Sequence, residues 1–447
     1  MTDLLIVGAG PKAVAVAAKA AVLRANGLPA PSITVVDPLG VAGNWRAAGG
    51  WTDGAHRLGT SPLKDVGYPY RSRIAGGGGG AVDAEVDRGM LLLSWTAHLT
   101  DRGAYADWVD RGGPAPTHTE WAAYLAWVAE RVGMEPVRDT VVALSPDGDG
   151  WSVGLASGER RAATRVMITG PGSSGRALLV DPAVLSVADF WAAAAARALP
   201  PGARVAVIGG GETAASALDE LVRHDVFAIT VVSPTPTLFT RGESYFENAL
   251  YSDPSRWAML GEQERRDVIR RTDRGVFSAR VQEALLAENR VHHVPGRVVG
   301  LRRVGPDGAA GGGIELCLRA TAPYTPPAYD LVVDATGGDP LWFRSLLDPA
   351  AQDLLESAVG GPVSTARVES AMGYDLAVSG VTQKLHLPTL AGFAQGPGFA
   401  NLSCLGELSD RVLGTVSGAS SHGAAGAGRA AGGAVPGATV SRPVATG

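Results

Sequence analysis

Short, wholly apolar runs set against glycine turns give this chain its first division. Leu4-Leu5-Ile6-Val7 and Val205-Ala206-Val207-Ile208 have no polar position on either face, the pattern of parallel strands covered on both sides. Each run ends in a glycine turn, Gly8-Ala9-Gly10-Pro11-Lys12-Ala13 and Gly209-Gly210-Gly211-Glu212-Thr213-Ala214. An alanine-rich helix over 13–25 follows the first turn, and 33–36 is the next strand. Segments 92–99 and 120–132 carry apolar residues at helical spacing. Residues 141–144 and 151–155 read as a hairpin around Pro146-Asp147-Gly148-Asp149-Gly150, and 165–169 as a buried strand closed by Gly170-Pro171-Gly172. A second α/β unit starts near Arg204, with 229–232 as its next strand. Residues 245–289 are helical and charged and interrupt the alternation; 331–333 returns as a strand ending in Asp334-Ala335-Thr336-Gly337-Gly338.

A buried strand, a tight glycine turn and a helix N-terminus together hold a pyrophosphate, because unpaired N–H groups and the helix dipole converge there. Gly8, Gly10, Pro11 and Ala13 form one such cradle, with Asp37 at the end of the next strand placed to take the hydroxyls of an adenosine ribose. Gly209, Gly211, Glu212, Thr213 and Ser216 form the second, whose last glycine position is Ala214, still small enough for close helix–strand approach. Two dinucleotides on one chain point to hydride passing from one to the other. The plain alternative, two packing turns, leaves the strand end at 334–338 unexplained. The fold class is α/β, with one Rossmann-like unit nested in another. Residues 1–171 and 328–416 read as a flavin domain and 172–327 as an inserted nicotinamide domain. A tail at 417–447, rich in Gly, Ala and Ser, is expected to be disordered.

Composition narrows the classes. The 447 residues, 46% hydrophobic, suffice for two or three cored domains. A net charge of −5 with no long basic run argues against nucleic acid. Cys317 and Cys404 stand far apart with no CxxC, which disfavours a disulfide scaffold, a zinc site and a redox dithiol. No cleavage signal opens the chain and no stretch is apolar enough to span a bilayer, which reads as a soluble cytoplasmic protein. The glycine runs 76–80 and 308–313 read as padding. Asn44-Trp45-Arg46 and the segment from His56 to Asp65 are too polar for a core and too specific for a linker, and read as a cofactor-side loop. Taken singly, Lys64 reads as a solvated lysine.

Several longer stretches resemble one family. They are Gly49-Gly50-Trp51-Thr52-Asp53-Gly54-Ala55-His56-Arg57-Leu58-Gly59-Thr60-Ser61-Pro62, residues 209–216, Phe246-Glu247-Asn248, Thr272-Asp273-Arg274-Gly275-Val276-Phe277-Ser278 and Asn401-Leu402-Ser403-Cys404-Leu405-Gly406. From residue 3 to about 415 the chain is similar to flavin-dependent N-hydroxylating monooxygenases of siderophore biosynthesis, most of all to the lysine N6-hydroxylases of mycobactin and nocobactin pathways. The resemblance implies an FAD domain, an inserted nicotinamide domain and a small, mostly helical substrate region at about 245–290. It implies that NADPH, with NADH also accepted, reduces FAD, and that the reduced flavin takes O2 as a C4a-hydroperoxide. The neutral side-chain amine of L-lysine then attacks the distal oxygen, with no metal required.

The same resemblance implies substrate contacts by position. Lys64 would pair with the α-carboxylate, Asn248 with the amino-acid end, and Asp273, where ornithine enzymes usually carry asparagine, with the α-ammonium. Ser409 would lie near the flavin and the reactive nitrogen. Trp45, His56, Val142, Gly406 and Leu408 fall on the FAD side, and Arg241, Thr336 and Gly337 on the nicotinamide side. A dimer or tetramer is the usual assembly. Lysine over ornithine rests on the resemblance alone, since one methylene is worth about 1–3 kcal/mol. Free lysine is favoured over a tethered or acylated one, because Lys64 and Asp273 suit a free carboxylate and ammonium.

Two positions depart from the family pattern. Where an arginine usually takes the 2′-phosphate of NADPH, this chain has Ser233-Pro234, and proline offers neither charge nor donor. Discrimination between NADPH and NADH is therefore expected to be weak, with Arg241 a partial substitute; a ratio of kcat/KM values above about a hundredfold contradicts this. His118, in Pro116-Thr117-His118-Thr119-Glu120-Trp121, stands where arginine is usual. A histidine is shorter and can be neutral, so oxidising equivalents are expected to escape as H2O2 or superoxide. Near-stoichiometric coupling of NAD(P)H oxidation to product would reject that. The bland reading of His118 is a surface loop residue.

Rival functions fit less well. Flavin monooxygenases acting on sulfur or ketones usually carry FxGxxxHxxxW between their glycine turns, and that signature is absent. The missing CxxC counts against a disulfide reductase. A nicotinamide-binding flavoprotein without turnover has no need of an amino-acid clamp. An N-hydroxylase of ornithine or of acylated lysine is the nearest alternative.

Overall fold

The computed structural model describes residues 2–46, 52–74, 80–170, 172, 178–305, 312–319 and 326–414. The tail at 417–447 and most of the two glycine runs lie outside the described residues.

The first sheet takes β1 (Thr2–Val7), β2 (Ile33–Val36), β3 (Val141–Asp147), β4 (Gly150–Leu155) and β5 (Arg160–Ile168) in the order β2-β1-β5-β4-β3. Leu4, Leu5 and Ile6 are fully buried, as an apolar run in a doubly covered parallel strand must be. β1 pairs in parallel with β2 and β5, and β3 and β4 add the expected antiparallel hairpin. The helix α1 (Pro11–Ala25) starts on Pro11, whose missing N–H costs nothing at a first helical position. It is buried around most of its circumference, since its alanines and valines leave room for neighbours on every side.

Between β2 and β3 the helical region differs from the spacing over 92–99. Two helices, α2 (Gly80–Leu91) and α3 (Trp95–Asp101), meet there, and the Ser94 side chain caps α3 by accepting from Ala97 N. Apolar periodicity runs through such a break because a serine cap interrupts the backbone without interrupting the spacing. A short α4 (Tyr105–Asp110) and then α5 (His118–Arg131) follow, the latter with a Thr117/Glu120 capping box.

The second sheet is parallel throughout. It takes β6 (Val184–Ser186), β7 (Ala203–Ile208), β8 (Val226–Ser233), and two later strands, with α6 (Val187–Ala195) and α7 (Glu212–Leu221) packed on it. A two-stranded pair, β9 (Phe239–Thr240) and β10 (Val276–Phe277), brackets α8 (Tyr245–Ser252), α9 (Pro254–Ala258) and α10 (Glu262–Thr272). After α11 (Ala279–Ala284) come the edge strand β11 (Val291–Pro295), the antiparallel pair β12 (Arg297–Val304) and β13 (Gly313–Arg319), and β14 (Leu331–Asp334). The order β11-β8-β7-β14-β6 places β14 inside the second sheet. The return to the first unit therefore falls after Asp334 and not at 328, a correction to the expected boundary. An apolar run such as Leu331–Val333 suits either sheet, and only strand order assigns it.

The chain then crosses back through α12 (Pro349–Ala358), α13 (Thr365–Ser370), β15 (Leu385–His386), which joins β5, and α14 (Gly392–Gln395). It ends in α15 (Leu405–Leu413), packed along α1. Lys19 of α1 and Asp410 of α15 form an ion pair at 2.8 Å with both side chains 2% exposed.

Candidate functional site

Gly8 has φ +95°, and a Cβ there would stand 2.6 Å from Thr169 Oγ1, so the first turn requires glycine. The space in front of Gly10 is open and α1 has no side-chain cap, leaving its first N–H groups to an external acceptor. That is a fit for a dinucleotide pyrophosphate. Asp37 supports the turn from below, accepting from Ala9 N, Leu39 N and Gly40 N at 2.8 Å each. The second turn repeats the device: Gly209 has φ +146° and a Cβ there would lie 2.3 Å from Ala335 O. Around it Ser278 Oγ, Arg241 Nε and Glu212 Oε1 are buried without a partner among the described residues, polar atoms that a second dinucleotide can satisfy.

The second turn, through Glu212, Thr213 and Ser216, opens on a cavity of about 520 Å3, whose lining includes no residue of the first turn. Its first-unit wall is Trp45, Thr52, the His56–Lys64 loop and His118; Asn401, Leu402 and Ser403 close another side. The second unit contributes Trp191, Glu212, Thr213, Ser216 and Arg241, and the helical segment Asn248, Tyr251 and Asp273. Lys64 Nζ donates to Asn248 Oδ1 at 3.0 Å across 184 residues of sequence, and Asn248 Nδ2 is fixed on the Glu243 carbonyl at 2.7 Å. Burial lowers the Lys64 pKa, with Glu243 acting against it. Asp65 anchors the same loop, accepting from Tyr70 Oη at 2.6 Å and Trp95 N at 2.9 Å. Burial pushes its carboxyl up to about 6 against those bonds.

His118 is a cavity residue, only 9% exposed, and not the surface histidine of the bland reading. Its Nδ1 meets Thr52 Oγ1 at 2.9 Å, and its ring lies edge-on to Trp45 and His56. His56 links the two units, with Nε2 at 3.1 Å from Ser216 Oγ and 3.2 Å from Arg280 Nη2, and Asp219 at 3.5 Å. Burial, with Arg280 adding to it, pushes His56 down to about 4; burial and the neighbouring His56 push His118 to about 3. Both imidazoles are therefore neutral at pH 7. Between the ordinary value of 6.5 and about 4 the unfolded chain binds protons there that the folded chain does not. Stability is then expected to fall as pH drops through that window, with His98 and His386, also buried and also lowered, adding to the loss. Melting temperatures from pH 7 to 4.5 check this; a flat profile contradicts it.

A model of the L-lysine 6-monooxygenase/L-ornithine 5-monooxygenase family matches residues 92–288. The L-lysine N6-monooxygenase MbtG of Mycobacterium tuberculosis (strain H37Rv) is 54% identical over 417 residues, spanning 92% of this chain and 94% of that protein. The chain belongs to this lysine and ornithine monooxygenase family. Among solved structures it is similar to lysine monooxygenase NbtG from Nocardia farcinica, with a TM-score of 0.81 and 55% identity over 92% of this chain and all of that one. The ornithine N-hydroxylase KtzI of Kutzneria sp. 744 has a TM-score of 0.70 at 19% identity, covering 93% of this chain and 98% of its own, and shows the shared fold alone. The chain thus carries this monooxygenase family's architecture on its two glycine-turn α/β units.

In this monooxygenase ten of the expected site residues line one cavity, Trp45, His56, Lys64, His118, Glu212, Thr213, Ser216, Arg241, Asn248 and Asp273, whereas Gly8, Gly10, Pro11, Ala13 and Asp37 lie outside its lining. Ser409 does not. It is fully buried in α15 and its hydroxyl bonds the Leu405 carbonyl at 2.8 Å, one helical turn back. Leu408 is likewise in the core. Gly406 serves packing, since a Cβ there would lie 2.3 Å from Gly67 O in the loop beyond Lys64. Val142 is 49% exposed on β3, outside the cavity lining. Thr336, just past β14, donates its N–H and Oγ1 to Asp334 Oδ1, and Gly337 there has φ +97°. Arg241 reaches Gly59 O and Glu212, whereas Ser233 Oγ meets Thr235 and His293. Glu243, Trp191 and the Asp219–Arg280 pair were not evident from sequence, because isolated residues on separate elements carry no spacing signal.

Proposed function

We propose that this enzyme hydroxylates the N6 nitrogen of free L-lysine, using FAD, NAD(P)H and O2, to supply hydroxamate groups of a mycobactin- or nocobactin-type siderophore. The carrying observation is the Lys64–Asn248 hydrogen bond in the cavity that Asp273 and the start of the second glycine-turn helix also line. A cation and a carboxylate lining one cavity match the carboxylate and α-ammonium of an amino acid. The aliphatic arm then extends along the wall of Trp45, Leu58 and Leu402. Arg57, Lys64 and Arg241 line the same space, and nearby cations together with desolvation favour the neutral form of the amine that must react. His56 and His118, held neutral, add no charge of their own.

The first glycine turn with Asp37 would hold FAD, and the second turn with Ser216 would hold NAD(P)H. Bound FAD supplies the electron transfer from the nicotinamide to O2 that activates the oxygen. The protein binds and orients the amino acid and keeps water from the reacting atoms. We place the enzyme in the cytoplasm, where nicotinamide cofactors and free lysine are held; no described helix is long and apolar enough to cross a membrane. Assembly as a dimer or tetramer is in keeping with the exposed apolar strip Leu91, Leu92, Tyr105 and Val109.

Mass spectrometry of a reaction with FAD, NADPH, air and L-lysine tests the reading. Lysine gaining one oxygen at N6 is the expected product. NADPH oxidation yielding only peroxide, with lysine unchanged and an acylated lysine hydroxylated, would overturn the substrate.

A further inference from the structure

Two lysines of α1 are buried, and the chain treats them differently. Lys19, 2% exposed, has the carboxylate of Asp410 at 2.8 Å and Ser72 Oγ beside it. Lys12, 8% exposed, has one hydrogen bond, to the neutral carbonyl of Ala400 at 2.9 Å, and no carboxylate within ion-pair distance among the described residues. An ammonium carries three N–H donors, so Lys12 is buried with one hydrogen bond made and its charge offset only at a distance, by Asp273. It also stands in the first turn of a 15-residue helix that has no acidic residue and no side-chain cap there. A cation at that end opposes the helix dipole. Burial, opposed by the nearby Asp273, pushes its pKa down to about 8. In a turn with no anionic ligand, methionine would serve better.

We propose that Lys12 is an anion-binding residue of the first glycine turn and supplies the counter-charge for the FAD bound there. The proposal rests on the FAD reading above. An anion brought to the turn removes the burial, pairing and dipole penalties together, which no carboxylate among the described residues does, Asp273 acting only from beyond ion-pair distance. Ala400 immediately precedes Asn401, Leu402 and Ser403 of the cavity wall, so the Lys12 hydrogen bond joins the first turn of α1 to that wall. Two parts of the cofactor carry negative charge: the pyrophosphate always, and the ring system when reduced. The shared chemistry is a charge-assisted contact to an anionic acceptor.

The test compares the full-length wild type with Lys12→Met and Lys12→Gln, the latter keeping a donor for Ala400. FAD is titrated into apoprotein, the two-electron midpoint potential is measured in the FAD-loaded form, and melting temperatures are taken with and without FAD. If the pyrophosphate is the partner, the FAD Kd rises about 10- to 100-fold in both variants. If the reduced ring is the partner, the Kd holds and the midpoint falls by about 30 mV for each tenfold loss. Either result supports the proposal. Equal loss of melting temperature in apo and loaded protein, with Kd and midpoint unchanged, would make Lys12 a structural tether and overturn it. A wild type that binds no FAD would overturn the cofactor reading as well, which separates the two failures.

Discussion

Lys64→Met is expected to lower kcat/KM for L-lysine on the order of 10²–10³-fold, the cost of truncating one partner of a hydrogen-bonded charge pair in a desolvated site. Lys64 is held on Asn248 Oδ1, which is itself fixed by the Glu243 carbonyl, so its ammonium is positioned before substrate arrives. Without it the α-carboxylate of lysine would face Asn248 and Glu243, with Arg241, itself held by Glu212 and Glu243, as the remaining nearby cation. The loss should fall mainly in KM, since the ammonium touches the amino-acid end and not the reacting nitrogen. NADPH oxidation in the absence of lysine should be unchanged, because Lys64 belongs to neither glycine turn. Lys64→Arg should recover part of the affinity, a guanidinium being a carboxylate partner of different length and shape. A KM within threefold of wild type in Lys64→Met would contradict the clamp, about 0.6 kcal/mol being too little for a charge pair.

Lys19→Met is expected to destabilise the fold by about 3–5 kcal/mol, because it removes the cation paired with a buried carboxylate. Both partners of the Lys19–Asp410 pair are 2% exposed, and Ser72 continues the chain to Asp87 at 2.6 Å. The network ties α15 to α1 and to the segment before α2, around the loop that carries Lys64. Removing both charges in Lys19→Met/Asp410→Leu should recover most of the stability, since an apolar pair of similar volume avoids the desolvation cost. Thermal melts of the FAD-loaded protein read this. A single variant melting within about a degree of wild type would contradict the account.

The parts of the fold that were legible are those with a strong period or a required turn. The β1 and β7 runs, both glycine turns and the β3–β4 hairpin each follow from local chemistry. Boundaries set by caps were not legible: Ser94 splits the helical spacing at 92–99, and its effect depends on a single side chain accepting from Ala97 N. Strand order is not legible either: the apolar run at 331–333 suits the first unit equally well, and only its pairing with β6 and β7 puts β14 in the second sheet. In the site, Lys64, Asn248 and Asp273 were found through resemblance and meet in the cavity. Ser409 was carried over by position, yet its hydroxyl serves its own helix. A sequence position does not say which face of a helix meets the cavity. Asp65 was within reach, since a carboxylate beside a binding lysine in a polar loop invites the question of what fixes that loop.

The most direct test of the central claim is a competition. L-lysine and L-ornithine at equal concentration are incubated with the enzyme, FAD, NADPH and air, and both hydroxylated products are quantified by mass spectrometry. N6-hydroxylysine should exceed N5-hydroxyornithine by about 10-fold or more, the range one methylene can give. Ornithine hydroxylated as well as lysine, or neither amino acid hydroxylated while NADPH is consumed, would contradict the assignment.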